Sequence, residues 1–140
     1  MAYTTPTASH VFIQIKDGAT PEAAYRTFLG AWRDADRQMR TTMVQEPLGT
    51  VPDRYKRWAV LLAATVEELS RQTDAPPPTW VFDDKLKLSR PWDTYGMPRL
   101  RPYLVETSPE PFLRRNILVG DRSLIKAGIG EQRGTSRDAR

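Results

Sequence analysis

The chain has 140 residues, 39% of them hydrophobic and 27% charged, which is the profile of one globular domain and not of a disordered chain. Lys and Arg number 21 against 17 Asp and Glu, a mildly basic balance of +4. Cysteine is absent and there is one histidine, which excludes a disulfide framework, a thiol nucleophile, thiolate-held zinc or iron–sulfur clusters, and any site built on paired histidines.

No run approaches the roughly 18 apolar residues of a membrane span. Met1 to Ser9 is polar and carries no apolar signal core, so a cytoplasmic location is expected. The expected plan is a flexible lead over 1–9, a single globular domain over 10–127 and a disordered basic tail over 128–140.

In His10–Lys16, Val11, Ile13 and Ile15 alternate with Phe12, Gln14 and Lys16, which predicts a strand closed by a turn at Asp17-Gly18. Thr20-Pro21 then opens a predicted helix over 20–41, since Pro at the first helical position gives up a donor that has no helical partner there. Ala24, Phe28, Trp32, Ala35 and Met39 form its apolar stripe. Pro47, Gly49 and Pro52 mark a linker. A second helix is predicted over 53–73, with Asp53 as its cap and Tyr55, Trp58, Leu62, Val66 and Leu69 as its stripe. Glu67 and Glu68 flank that stripe and are expected to be solvated. The short linker favours an antiparallel hairpin of the two helices as the core.

Pro76-Pro77-Pro78 cannot continue a helix and favours an extended crossing that delivers Trp80. Asp83-Asp84 can cap a short turn holding Leu86 and Leu88. Loop with aromatic anchors follows to Pro98, then a short helix or turn over Leu100–Thr107 and another with Ser108 as cap. Ile117-Leu118-Val119 reads as a strand able to pair with 10–16, and Leu124, Ile125 and Ala127 fit a closing helix. The fold class is mainly α: a helical hairpin core, an irregular Pro- and aromatic-rich second half, and one or two short β-strands.

Motifs for chemistry are sparse. Gly128-Ile129-Gly130 lacks the third glycine and the lysine of a phosphate loop, and there is no Gly-x-Ser-x-Gly or His-Glu-x-x-His. Asp83, Asp84 and Asp93 can be read as a cation site or as turn and cap residues. His10 falls on the predicted strand, where a structural or exposed role outweighs a catalytic one. No cofactor or metal is expected, and the chain reads as non-enzymatic.

Two surface features remain. Lys85, Lys87, Arg90, Arg99 and Arg101 fall within 17 residues, either a solvated surface or contacts to an acidic partner or to nucleic acid. Trp80, Trp92, Tyr95 and Phe112, with Arg114 and Arg115 as a rim, either cover the core or form a protein-binding hot spot.

The order of several segments carries a resemblance. They are Phe28-Leu29-Gly30-Ala31-Trp32-Arg33-Asp34-Ala35, Glu46-Pro47-Leu48-Gly49-Thr50, Arg57-Trp58-Ala59-Val60-Leu61-Leu62-Ala63-Ala64, Ala75-Pro76-Pro77-Pro78-Thr79-Trp80, Leu88-Ser89-Arg90-Pro91-Trp92 and Thr107 to Val119. Together, over about residues 22–127, they resemble small uncharacterised actinobacterial antitoxin-like proteins, and also the region after the helix-turn-helix in some actinobacterial regulators. The resemblance implies a module that binds and neutralises a toxin enzyme of the nucleotidyltransferase type encoded nearby. The alternative it implies is a nucleic-acid-associated transcriptional regulator or accessory protein. The upstream helix-turn-helix of the regulators is missing from this chain, and residues 10–16 have no counterpart in the resemblance.

Overall fold

The structure is a computed structural model and describes residues 5–120. The closing helix expected at Leu124–Ala127 and the tail at 128–140 lie outside the described residues. The described part is mainly helical, with two two-residue strands and an irregular second half, as the sequence predicts.

The first element corrects the sequence reading. Residues Ala8–Lys16 form a helix, α1, where the alternation predicts a strand. The Thr7 hydroxyl caps it by accepting from the His10 N–H at 3.0 Å. Gly18, at φ +108°, closes it: Ala19 N–H bonds the Gln14 carbonyl and Gly18 N–H the Ile15 carbonyl, the paired bonds of a Schellman ending. Ala8, Val11, Phe12 and Ile15 are buried, a spacing of three and four, while Ile13, which an alternating strand would bury, is 46% exposed. Thr7 to Ser9, expected within a flexible lead, instead cap and begin α1, with Ala8 buried.

The predicted helix over 20–41 is two helices, α2 (Pro21–Asp34) and α3 (Arg37–Val44). Ala35 is extended, and the Asp36 carboxylate restarts the chain by accepting from Met39 N–H at 2.8 Å. Arg40 reaches back across the break, donating to the Trp32 and Arg33 carbonyls at 2.9 and 3.3 Å. It thereby gives the Arg33 carbonyl a donor and adds a second to the Trp32 carbonyl, which the Ala35 N–H also reaches at the end of α2. The restart turns Met39 outward, and Met43 and Val44 take the buried positions instead.

A 3-10 turn at Asp53–Tyr55 leads into α4 (Lys56–Gln72). Every residue of α4 from Ala59 to Ser70 is buried, so this helix is the axis of the core. Helix α1 lies against both α2 and α4. A buried hydrogen bond of 2.8 Å between the Tyr25 and Thr65 hydroxyls ties α2 to α4, and burial pushes the Tyr25 phenol well above its usual range against the opposing effect of that bond. Helix α4 ends in a second Schellman pair, Ala75 N–H to Ser70 and Asp74 N–H to Arg71. Asp74 supplies the left-handed residue at φ 57° that glycine supplies in α1.

After the prolines, a 3-10 turn at Thr79–Phe82 and a later helix, α6 (Glu110–Leu113), pack on α4. Between them lie strand β1 (Trp92–Asp93), a 3-10 turn at Pro98–Leu100 and helix α5 (Arg101–Thr107). Strand β2 (Ile117–Leu118) pairs with β1 in parallel, Trp92 opposite Ile117 and Asp93 opposite Leu118. The sequence reading pairs Ile117–Val119 with 10–16 instead, but α1 is a helix with no strand edge to offer. Among the described residues no helix is long and apolar enough to cross a membrane.

Candidate functional site

The six residues predicted to bind a partner do not share one environment. Phe112 is fully buried on α6 and belongs to the core. Trp80 is partly buried, and its indole N–H donates to the Val44 carbonyl at 2.8 Å, pinning the proline crossing to the end of α3. Trp92 is partly buried and packs edge-on against Trp58, centroids 5.6 Å apart, with the Arg57 guanidinium 5.0 Å over its ring. Tyr95 alone of these aromatics projects outward, at 42% exposed.

Arg114 and Arg115, expected as an exposed rim, are turned by the fold to internal work. Arg115 is 3% exposed. It donates to the Glu67 carboxylate at 2.8 Å, to the Pro111 carbonyl at 2.8 Å and to the Val81 carbonyl at 2.6 Å. Arg114 pairs with the same Glu67 oxygen and, at 2.7 Å, with Glu110. Glu67 and Glu68 are therefore not solvated, contrary to the sequence reading. Glu67 faces two guanidiniums brought by α6, and Glu68 is held by Arg71 at 2.6 Å and by Gln72 at 2.7 Å. A buried carboxylate needs such donors, since an unpaired charge in the interior is strongly unfavourable. Burial pushes the Arg115 guanidinium below its ordinary range, and the neighbouring Glu67 does not fully offset that. For Arg114 burial also acts downward, but the bonds and charges of Glu110 and Glu67 together outweigh it and raise its pKa.

Two of the acidic residues singled out for metal binding, Asp83 and Asp93, serve turns. The Asp83 carboxylate accepts from Lys85 N–H at 2.9 Å. Asp93 accepts from Tyr95 and Gly96 N–H at 2.9 and 3.1 Å. Among the described residues no cluster of three or more His, Asp or Glu side chains is arranged to hold a metal ion. His10 is exposed on α1.

The basic stretch has the opposite character. Lys85, Lys87, Arg90, Arg99 and Arg101 are all exposed. None of their side chains forms an ion pair or hydrogen bond with another described residue. The same connection exposes apolar groups: Tyr95, Met97, Tyr103 and Val105 are each more than 40% open to solvent. Sequence reasoning misses Met97, Tyr103 and Val105. The two on α5 carry a readable signal, because Leu104 is the buried position of that short helix and its immediate neighbours must face away.

Two grooves flank the proline crossing. One, of about 460 Å³, lies between the 47–51 linker and the turn after Trp80, and its charged walls are two acids, Asp53 and Asp83, and two lysines, Lys56 and Lys85. The other, of about 630 Å³, lies between α3, the end of α4 and the prolines. No protein-family pattern, curated protein or solved structure matches the chain.

Proposed function

We propose that the protein is a non-enzymatic protein-binding module, antitoxin-like, that docks an acidic partner on the exposed connection between Asp83 and Val105. One observation carries the proposal: five cations without partners among the described residues share that connection with four exposed apolar side chains. Apolar anchors inside a charged border are the composition of a protein-binding hot spot, and unpaired cations speed encounter with an acidic surface. Tyr95 and Met97 are the anchors, and Arg99 and Arg101 lie in the border. The resemblance supplies the partner's class, a toxin enzyme of the nucleotidyltransferase type encoded nearby, which binding would neutralise.

Co-expression with the product of the adjacent gene tests this. The pair co-purifies and the enzyme's activity falls. Tyr95→Ala with Met97→Ala weakens the complex by about tenfold or more, while the variant keeps its wild-type melting temperature. A neighbour that neither co-purifies nor loses activity overturns the proposal.

A second reading rests on the same five cations, a nucleic-acid-associated accessory protein. Its signature is different. Affinity for a nucleic acid falls steeply with added salt, with a slope set by the number of phosphates contacted, and loss of Tyr95 and Met97 affects it far less than charge reversal at Arg99 and Arg101. Absence of any DNA or RNA shift at low salt removes it.

A further inference from the structure

After β2 the main chain arrives at Gly120 within the surface that the proposed function uses. The Leu118 carbonyl accepts from the Thr94 N–H at 3.2 Å and from the Thr94 hydroxyl at 2.9 Å, next to Tyr95. Gly120 is buried, and its N–H donates to the Ser108 hydroxyl at 2.7 Å. A Cβ at this position would stand 2.9 Å from Leu104 Cδ2 and 3.8 Å from the Tyr103 ring. Leu118 and Gly120 are two residues apart, no more than about 7 Å. One short stretch of backbone therefore passes Thr94-Tyr95 and then Tyr103, two tyrosines that are 42% and 43% exposed.

The sequence continues Asp121-Arg122-Ser123-Leu124-Ile125-Lys126-Ala127-Gly128-Ile129. Leu124, Ile125 and Ile129 are the only large apolar residues after Gly120. Leu124 is four residues from Gly120, a reach of up to about 14 Å, which covers both rings. Grouped exposed apolar side chains mark a surface that something covers.

We infer that this chain supplies an occupant for the patch: Leu124 and Ile125 pack on the rings of Tyr95 and Tyr103. The tether decides for this occupant over a second copy. A segment held so close has an effective concentration on the order of millimolar. A second copy at micromolar concentration must bind about a thousandfold more tightly to cover the rings equally.

The consequence rests on the proposed docking of an acidic partner: the segment competes with that partner for Tyr95. Arg122 and Lys126 flank Leu124-Ile125, so the segment covers the rings without neutralising Arg99 and Arg101. An acidic partner adds a charge attraction that the segment lacks and so displaces it. Added salt weakens that attraction and spares the apolar contact, which favours the inner occupant.

The test is nuclear Overhauser spectroscopy on the full chain with no partner present. Tyr95→Phe and Tyr103→Phe assign the two ring signals. Expected are contacts from the Leu124 and Ile125 methyls to both rings. Leu124→Ser with Ile125→Ser removes the contacts and moves both ring signals, while the signals of the buried Tyr25 stay in place. Absence of the contacts overturns the inference, as do ring signals that the double variant leaves unmoved. Contacts found only between labelled and unlabelled chains in a mixed sample also overturn it, because the occupant is then a second copy. The same double variant binds the partner several-fold more tightly, since a competitor is gone; an unchanged affinity removes the competition. The spectra need no partner, so their failure leaves the docking reading standing, and a neighbour that fails to co-purify leaves this contact standing.

Discussion

Along α4 the twelve residues from Ala59 to Ser70 are buried, and most of them are aliphatic or alanine, packed against α1, α6 and the turn at Thr79–Phe82. Between Thr79 and Gly120 the helices are one or two turns long and the strands two residues. That half is closed instead by side chains bonded to distant main chain. Arg115 reaches the Val81 carbonyl, Asn116 the Leu88 carbonyl at 2.5 Å, and Thr94 the Leu118 carbonyl at 2.9 Å. The Ser108 hydroxyl accepts from both Val119 and Gly120 N–H, at 2.9 and 2.7 Å. The first half thus shows what area burial does without direction. The second shows how irregular backbone is held where no ladder satisfies its polar groups.

The contrast is broken most directly at Arg115. Arg115→Met keeps much of the volume but leaves Glu67 with less than its full set of donors and the Val81 and Pro111 carbonyls unbonded. Urea denaturation should show a loss of about 3–5 kcal/mol, the range for breaking one side of a buried ion pair. Adding Glu67→Gln should recover part of it, since the buried carboxylate, then paired with Arg114 alone, is gone. A loss under about 1 kcal/mol would mean that the second half is held by packing like the first.

Ser108→Ala is next. It strands two main-chain donors, those of Val119 and Gly120, and should lower stability by about 1–3 kcal/mol, read from the same urea midpoint. Tyr25 probes the first half through pH. Its phenol is neutral in the fold, with a pKa raised above the ordinary value of 10.0. Above that pH the unfolded chain releases the proton and the folded chain keeps it, so the fold binds more protons and stability falls as pH rises. Tyr25→Phe should flatten the decline between about pH 9.5 and 11, the range where a free phenol titrates.

The smallest expected effect is Ile13→Glu, within about 0.5 kcal/mol because the side chain faces solvent. Val11→Glu, two positions away, should unfold much of the protein, since Val11 is fully buried. Equal effects at the two positions would restore the strand reading of this segment.

The same contrast decides what is readable in the residues. Helix α4 and the first three turns of α2 follow from their stripes, because burial along a long helix writes its period into the sequence. Helix α1 reads as a strand since Val11, Ile13 and Ile15 satisfy an alternating pattern as well as a helical one over so short a run. The deciding signals are local, Thr7 before it and Gly18 after it. The break at Ala35 is hidden because the apolar stripe continues through it, and its signal lies in the Asp36 cap. Glu67 reads as solvated because its partners are 47 and 48 residues away, and no local pattern reports an ion pair across that distance. Of the candidate surface, the cations and Tyr95 are legible as a composition shift. That Arg114 and Arg115 are turned to internal work depends on tertiary contacts.

Trp58 and Trp92 stand on opposite sides of this divide, one on α4 and one on β1, edge to face at 77°. Two indoles at that separation share their excited states, and the sharing appears as a paired positive and negative band in circular dichroism. The protein therefore carries its own optical gauge. Loss of that couplet while helical ellipticity persists would register the second half lifting from α4 before the helical core melts.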